Sequence, residues 1–188
     1  MIATNQGGAG FLGEMDQLQR SLARDVDDAF VELVAEFRDG LFSGVRRLVP
    51  QSVDAEDICA EAFLRAYRAL VSMSPAEIRR LDLAPWLWTI ALNLCRNAAR
   101  RRARKPWVQL DAAWNGPMAD RGPESQALDR SHLEALLETL PSQQRAAVVL
   151  RYIGGLAYSD IATATGRPEG SIRSDVNRGL KRLRRMEN

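Results

Sequence analysis

From Asp25 onward, hydrophobic residues return at three- and four-residue steps. Val26, Phe30, Leu33, Val34, Phe37, Leu41, Val45 and Leu48 trace one face of a long helix that Pro50 ends. A second inner face runs through Ile58, Phe63, Ala66, Tyr67 and Leu70, with Asp54, Glu56 and Asp57 at its N-terminal end, where the helix dipole favours anions. Ser74 and Glu77 have capping-box spacing and open a short structured connector over 74–84. Pro85 suits the first position of a third helix, whose stripe of Leu87, Ile90, Ala91, Leu94 and Ala98 leads into RRRARK at 100–105.

The period then fails. Pro106, Gly116, Pro117, Gly122 and Pro123 mark a flexible linker over 106–126, and helical spacing resumes over 128–139, 141–153, 158–165 and 168–186. VVLRYI could pass for a strand, but Ala146, Val149, Leu150 and Ile153 keep helical spacing and every neighbouring segment is helical. The pattern predicts an all-α chain of two small helical domains, 25–105 and 127–188. The Gly- and Gln-rich segment 1–24 is expected to be disordered or frayed.

A length of 188 residues allows one large domain or two small ones, and 46% hydrophobic with 27% charged residues describes a chain able to bury cores. The formal net charge is only +2, but its placement is uneven. Residues 1–95 carry 14 acidic against 9 basic side chains, and Arg96, Arg100, Arg101, Arg102, Arg104 and Lys105 then add +6 within ten positions. A second basic block closes the chain. Two cationic clusters after an acidic half point to an elongated polyanion met at two places and to a protein partner for the acidic surface. Cys59 and Cys95 have no CxxC spacing and fit helical apolar positions, so buried free thiols are expected. The N-terminus lacks the basic-then-apolar pattern of a signal peptide, and no stretch reaches the roughly 18 apolar residues of a membrane span, which predicts a cytoplasmic protein without membrane insertion.

The second basic block has the outline of a helix-turn-helix: 158–165, a turn at Gly166 and Arg167, then the longer basic helix 168–186. Ile172, Val176, Leu180 and Leu183 share one side of that helix and would pack onto Ile161 and Leu156. The other side presents Gly170, Ser171, Ser174, Asn177, Arg178, Lys181 and Arg185, with Arg173 beside them. Short polar groups allow close approach, Asn and Arg can pair with base edges, and the later cations meet phosphate. The alternative is a solvated, charged helix end. Asp175 interrupts the cations from the flank of the face, where it can orient Arg178 at i+3 or accept from a cytosine amino group.

With these motifs in place, LPSQQRAAVVLRYIGGLAYSDIATATGRPEGSIRSDVNRGLKRLRR resembles the C-terminal domain of bacterial sigma-70-type initiation factors of the extracytoplasmic-function group. DAEDICAEAFLRAYRAL with APWLWTIALNLCRNAARRR resembles that group's N-terminal domain. The resemblance spans about residues 26–185. It implies a subunit that gives core RNA polymerase its promoter choice and makes no bonds itself, so no catalytic residue, metal or cofactor is expected. Arg173, Ser174, Asn177 and Arg178, with Ser171 and Lys181 on the same face, would read the upstream promoter element. Trp86, Trp88, Asn93, Arg96, Asn97, Arg100 and Arg101 would engage the downstream element as it melts. Trp86 and Trp88 cannot share one helix face at i and i+2, so at least one is expected to be exposed or at a domain edge, and core packing is the alternative weighed for Trp86. Asp54, Asp57 and Glu61, with Phe63 and Leu64, match the surface that docks on the polymerase, for which a solvated acidic helix is the alternative. An anti-sigma factor is a further possible partner.

Two departures stand out from the family pattern: Ala60, where the family often has Gln, and Asp175, where it commonly has Arg and where altered promoter preference or weaker phosphate contact is expected. Two other classes explain less. A stand-alone dimeric helix-turn-helix regulator accounts for the C-terminal block but not for the second cluster on an aromatic-led helix. A nuclease using Asp54, Glu56, Asp57 and Glu61 for a hard cation lacks an accompanying basic catalytic residue, since His132 lies in the other domain.

Overall fold

The computed structural model describes residues 8–49, 54–104 and 133–187, and among them every regular element is helical. They are α1 (Gly8–Arg24), α2 (Val26–Leu48), α3 (Ala55–Ser72), α4 (Pro75–Ile78), α5 (Leu83–Arg104), α6 (133–138), α7 (Ser142–Tyr152), α8 (Tyr158–Thr165) and α9 (Glu169–Glu187). The linker expected over 106–126 lies outside the described residues, as do His132 and residues 1–7.

Local chemistry sets the helix ends. Asp25 caps α2 by accepting from the Asp27 and Asp28 amides at 2.9 and 3.2 Å, and Asp54 caps α3 through Glu56 and Asp57 at 2.8 and 3.3 Å. Ser74 and Glu77 form the full capping box of α4. α5 begins at Leu83, two residues before Pro85, because the Trp86 amide bonds back to the Asp82 carbonyl. The proline therefore falls inside the first turn, where no amide donor is needed.

The N-terminal segment departs from expectation. Residues 8–24, expected to be disordered or frayed, form α1, which buries Leu18, Leu22 and Ala23 against the following helices. Gln19 donates its side-chain amide to the Ile78 and Leu81 carbonyls, tying α1 to the connector.

Inside, α2, α3 and α5 surround Leu33, Leu41, Val45, Ala62, Ala66, Leu70, Leu87 and Ala91. Cys59 and Cys95 lie in this core as free thiols. Burial pushes their pKa values up to about 12 and about 11, so both stay protonated near neutrality. In the C-terminal domain α7 crosses α9 closely enough that a methyl group at Gly179 would stand 2.8 Å from Val148 Cγ2.

The two domains are packed on one another. A single apolar cluster runs from the N-terminal helices into Ala147, Leu150, Leu156, Ile161, Ala164, Ile172 and Val176, and Leu48 of α2 touches a second cluster of Leu137, Leu140, Val148 and Val149. Trp88 fills the junction at 3% exposure. Its indole lies on Gly44 of α2 and on Gly154 after α7, where an added Cβ would sit 3.0 Å from the ring and 2.8 Å from the Leu150 carbonyl. Arg46 and Arg47 reach Glu134 at 3.3 and 3.8 Å across the same boundary.

A methyl group at Gly44 would collide with the rigid Trp88 ring. Gly44→Ala should therefore lower stability by about 1–3 kcal/mol, outweighing the roughly 1 kcal/mol that alanine adds to helix propensity. Trp88→Leu in the same background should restore part of the loss. Denaturant midpoints of the single and double variants test this, and an unchanged or higher midpoint for Gly44→Ala would contradict it.

Candidate nucleic-acid interface

α8 and α9 meet at Gly166, whose φ of 67° is a left-handed conformation that closes the helix and turns the chain. Arg167, Pro168 and α9 follow at once. Ile172 and Val176 are fully buried on Ile161 and Leu156, which fixes the roll of α9 about its axis. The remaining surface is then determined by helical geometry: Gly170, Arg173, Ser174, Asn177, Arg178, Lys181 and Arg185 are exposed and Ser171 is half-buried.

Several of these side chains are held in place. Arg173 pairs with Glu169 at 2.6 Å and lies over the Tyr158 ring at 4.6 Å, while Arg151 approaches the same ring at 5.1 Å. Ser174 donates to the Gly170 carbonyl at 2.9 Å. Arg178 donates to Asp175 Oδ1 at 2.8 Å, the i+3 contact expected from the sequence.

Asp175 itself is elsewhere than its helical angle implied. It is 4% exposed and bound on its other oxygen by Arg167 at 2.5 Å. A side chain so enclosed cannot accept from a base, so the flank position with possible cytosine contact is corrected to an interior ion pair. Burial alone would raise its pKa, but hydrogen bonds and charge from Arg167 and Arg178 outweigh that and lower it.

The second cationic set lies on α5. Asn93, Arg96, Asn97, Arg100 and Arg101 are exposed. Arg96 donates to Asn93 Oδ1 at 3.2 Å and, across the domain boundary, to the Thr165 carbonyl at 3.4 Å. Trp86 is half-buried against the core. Trp88, expected among the DNA-facing residues, is instead the buried wedge between the domains, because the glycines facing it leave a slot for the indole. Spacing alone could not tell the two tryptophans apart.

On α3, Asp54 is occupied as the helix cap, Asp57 is exposed, and Glu61 pairs with Arg65 at 2.7 Å. Leu64 is 42% exposed, and Val71, which was not among the expected contacts, is 57% exposed further along the helix. Phe63, expected on the docking surface, is only 9% exposed and packs inward. Its place in the apolar period of α3 was the better guide. No cluster of three or more potential metal ligands occurs among the described residues, and no described helix is long and apolar enough to cross a membrane.

Comparison with known proteins coincides with this division. Residues 33–105 match the model for Sigma-70 region 2, and residues 131–183 match that for Sigma-70, region 4. The chain is 34% identical over 180 residues to the RNA polymerase sigma-H factor of Pseudomonas aeruginosa, covering 89% of this chain and 90% of that protein. It is also 34% identical over 157 residues to the ECF RNA polymerase sigma factor SigE of Mycolicibacterium smegmatis, covering 81% of this chain but only 59% of that longer relative. Among solved structures, the sigma factor RpoE of Bartonella quintana in complex with the anti-sigma factor NepR aligns with a TM-score of 0.67 at 26% identity, over 83% of this chain and 94% of that one.

The lowered pKa of Asp175 fixes the sign of its pH effect. A carboxylate that is more acidic folded than unfolded stabilises the fold fully above the unfolded value, about 3.9, and that contribution disappears as pH falls through the lowered folded value. The stability gap between the parent and Asp175→Asn should therefore be constant from pH 7 down to about pH 5 and narrow below about pH 4. Denaturation at a series of pH values measures it, and a gap that widens in acid would contradict the assignment.

Proposed function

The chain belongs to the sigma-70 family of RNA polymerase initiation factors, in its extracytoplasmic-function group, and we propose that it works by docking α3 on core polymerase while α9 and α5 engage the two promoter elements. It binds core RNA polymerase and directs promoter-specific initiation. It is not an enzyme: the polymerase makes the bonds, and the chain supplies recognition and helps melting in the cytoplasm.

The observation that carries this reading is the two-sidedness of α9. One side is anchored through Ile172 and Val176, and the other exposes Ser174, Asn177, Arg178 and Lys181 within the segment matched to region 4. Asn177 and Arg178 are chemically suited to base edges in the upstream element, and Ser171, Arg173 and Lys181 to backbone and edge contacts around them. On α5, Asn93, Arg96, Asn97, Arg100 and Arg101 form an exposed polar and cationic strip for the separating strands of the downstream element, with Trp86 at its apolar end. Asp57, Glu61 and Leu64 on α3 offer an acidic surface with an apolar centre to a basic polymerase element, a pairing that also keeps that face off DNA. An anti-sigma protein is a natural partner, since it would compete for these exposed faces.

Run-off transcription with bacterial core RNA polymerase on fragmented genomic DNA tests the reading. Start-site-specific transcripts should require both the chain and core enzyme. Arg100→Ala with Arg101→Ala should reduce open-complex formation, and Lys181→Ala should weaken all upstream sequences alike while lowering the salt slope by about one. A chain that fails to bind core enzyme, yet binds duplex DNA tightly as a dimer, would instead support a stand-alone regulator.

A further inference from the structure

Asp175 is the one buried charged residue among the described residues, and it lies in the middle of the helix assigned to promoter reading. A carboxylate removed from water has to have both its charge and its lone pairs met. Here each oxygen has its own guanidinium: Arg167 Nη2 on Oδ2 at 2.5 Å and Arg178 Nη2 on Oδ1 at 2.8 Å.

The two arginines are not equivalent. The Arg167 side chain is 28% exposed and comes from the turn, whereas that of Arg178 is 62% exposed and shares the outer face with Ser174, Asn177 and Lys181. One of the five guanidinium donors of Arg178 is engaged by Asp175, which leaves four on a side chain that is 62% exposed. Two parallel donors from that remainder suffice for the paired contact an arginine makes with a guanine edge. An unanchored arginine would sample many rotamers before making such a contact. The neighbouring Arg173 is restrained too, by Glu169 and Tyr158, but these partners are themselves more open to solvent.

We propose that Asp175 is a positioning residue for base readout: without touching DNA, it holds the Arg178 guanidinium in the orientation that selects one base pair of the upstream element. This rests on the assignment of α9 as the upstream reader. A carboxylate that merely closed the turn through Arg167 would affect folding, and every promoter alike. A positioning carboxylate affects one or two base pairs, the same ones as its arginine.

The test uses the full chain assembled with bacterial core RNA polymerase, transcribing a pool of linear duplexes randomised over the upstream segment, with the transcribed templates sequenced. The parent chain should show defined base preferences there. A parent without any would overturn the assignment of α9 itself, and this proposal with it. Given those preferences, Asp175→Asn should lose about tenfold in discrimination at the positions where Arg178→Ala loses it, keep the others, and cause no further loss when the two changes are combined. If Asp175→Asn fails to fold, Asp175→Leu with Arg167→Met removes the buried charge together with its less exposed partner and must give the same position-specific loss. Preferences identical to the parent's, or a uniform decline at all positions, would overturn the proposal while leaving the assignment of α9 intact.

Discussion

A rigid indole between two glycines sets the relation between the two halves of this molecule. Trp88 projects from α5, the helix that also carries the cationic strip, and its ring occupies space that any side chain at Gly44 or Gly154 would deny it. Burying a large apolar side chain contributes roughly 1.5–3 kcal/mol, far more than the partly exposed Arg46–Glu134 pair beside it, since exposed ion pairs are worth about 0–1 kcal/mol. The boundary is thus held by shape and apolar area, with charge in a minor role. The same contact orients α5, because a helix anchored by Trp88, Leu87 and Ala91 has no choice about which side shows Asn93, Asn97 and Arg100.

Charge follows a different rule on the outer faces. Among the exposed arginines of α9, those closest to its start are restrained by acids from their own or the preceding turn: Arg173 by Glu169, and Arg178 by Asp175. Such pairs add little to stability where they are solvated, but they limit the orientations of long side chains before any partner arrives. Lys181 and Arg185, further along, have no such restraint in their helical neighbourhood and suit a phosphate backbone that accepts cations in many geometries.

Much of this was legible in the sequence because it depends on local periodicity. The faces of α2, α3 and α5, the capping box at Ser74 and Glu77, and the glycine that ends α8 all follow from spacing and residue chemistry within a few positions. What escaped depends on partners far along the chain. In α1, Met15, Leu18 and Leu22 do keep helical spacing, but the glycines and glutamines around them masked that period, and the docking becomes evident once Leu18 and Leu22 meet the later helices. Trp86 and Trp88 differ by two positions, and only the glycines on two other elements decide which of them is interior. Asp175 had a visible partner at i+3, yet its burial depends on Arg167 reaching back from the turn, a contact that no helical period encodes.

The shared core also constrains how the chain can act on DNA. With α5 packed on α8 and Arg96 bonded to the Thr165 carbonyl at 3.4 Å, the two cationic helices are held at one fixed distance within a compact body. Two separate duplex elements are spaced by about 3.4 Å for every intervening base pair, so even a dozen base pairs exceed the two interhelical spacings of roughly 8–10 Å that lead from α5 through α8 to α9. Under the proposed function, engaging both elements at once would require the boundary to part and the Trp88 slot to lose one wall. The polar groups at that boundary do not uniformly oppose parting: partial desolvation and the neighbouring Asp160 carboxylate both raise the pKa of Asp82, which marks a like-charge approach between the start of α5 and α8.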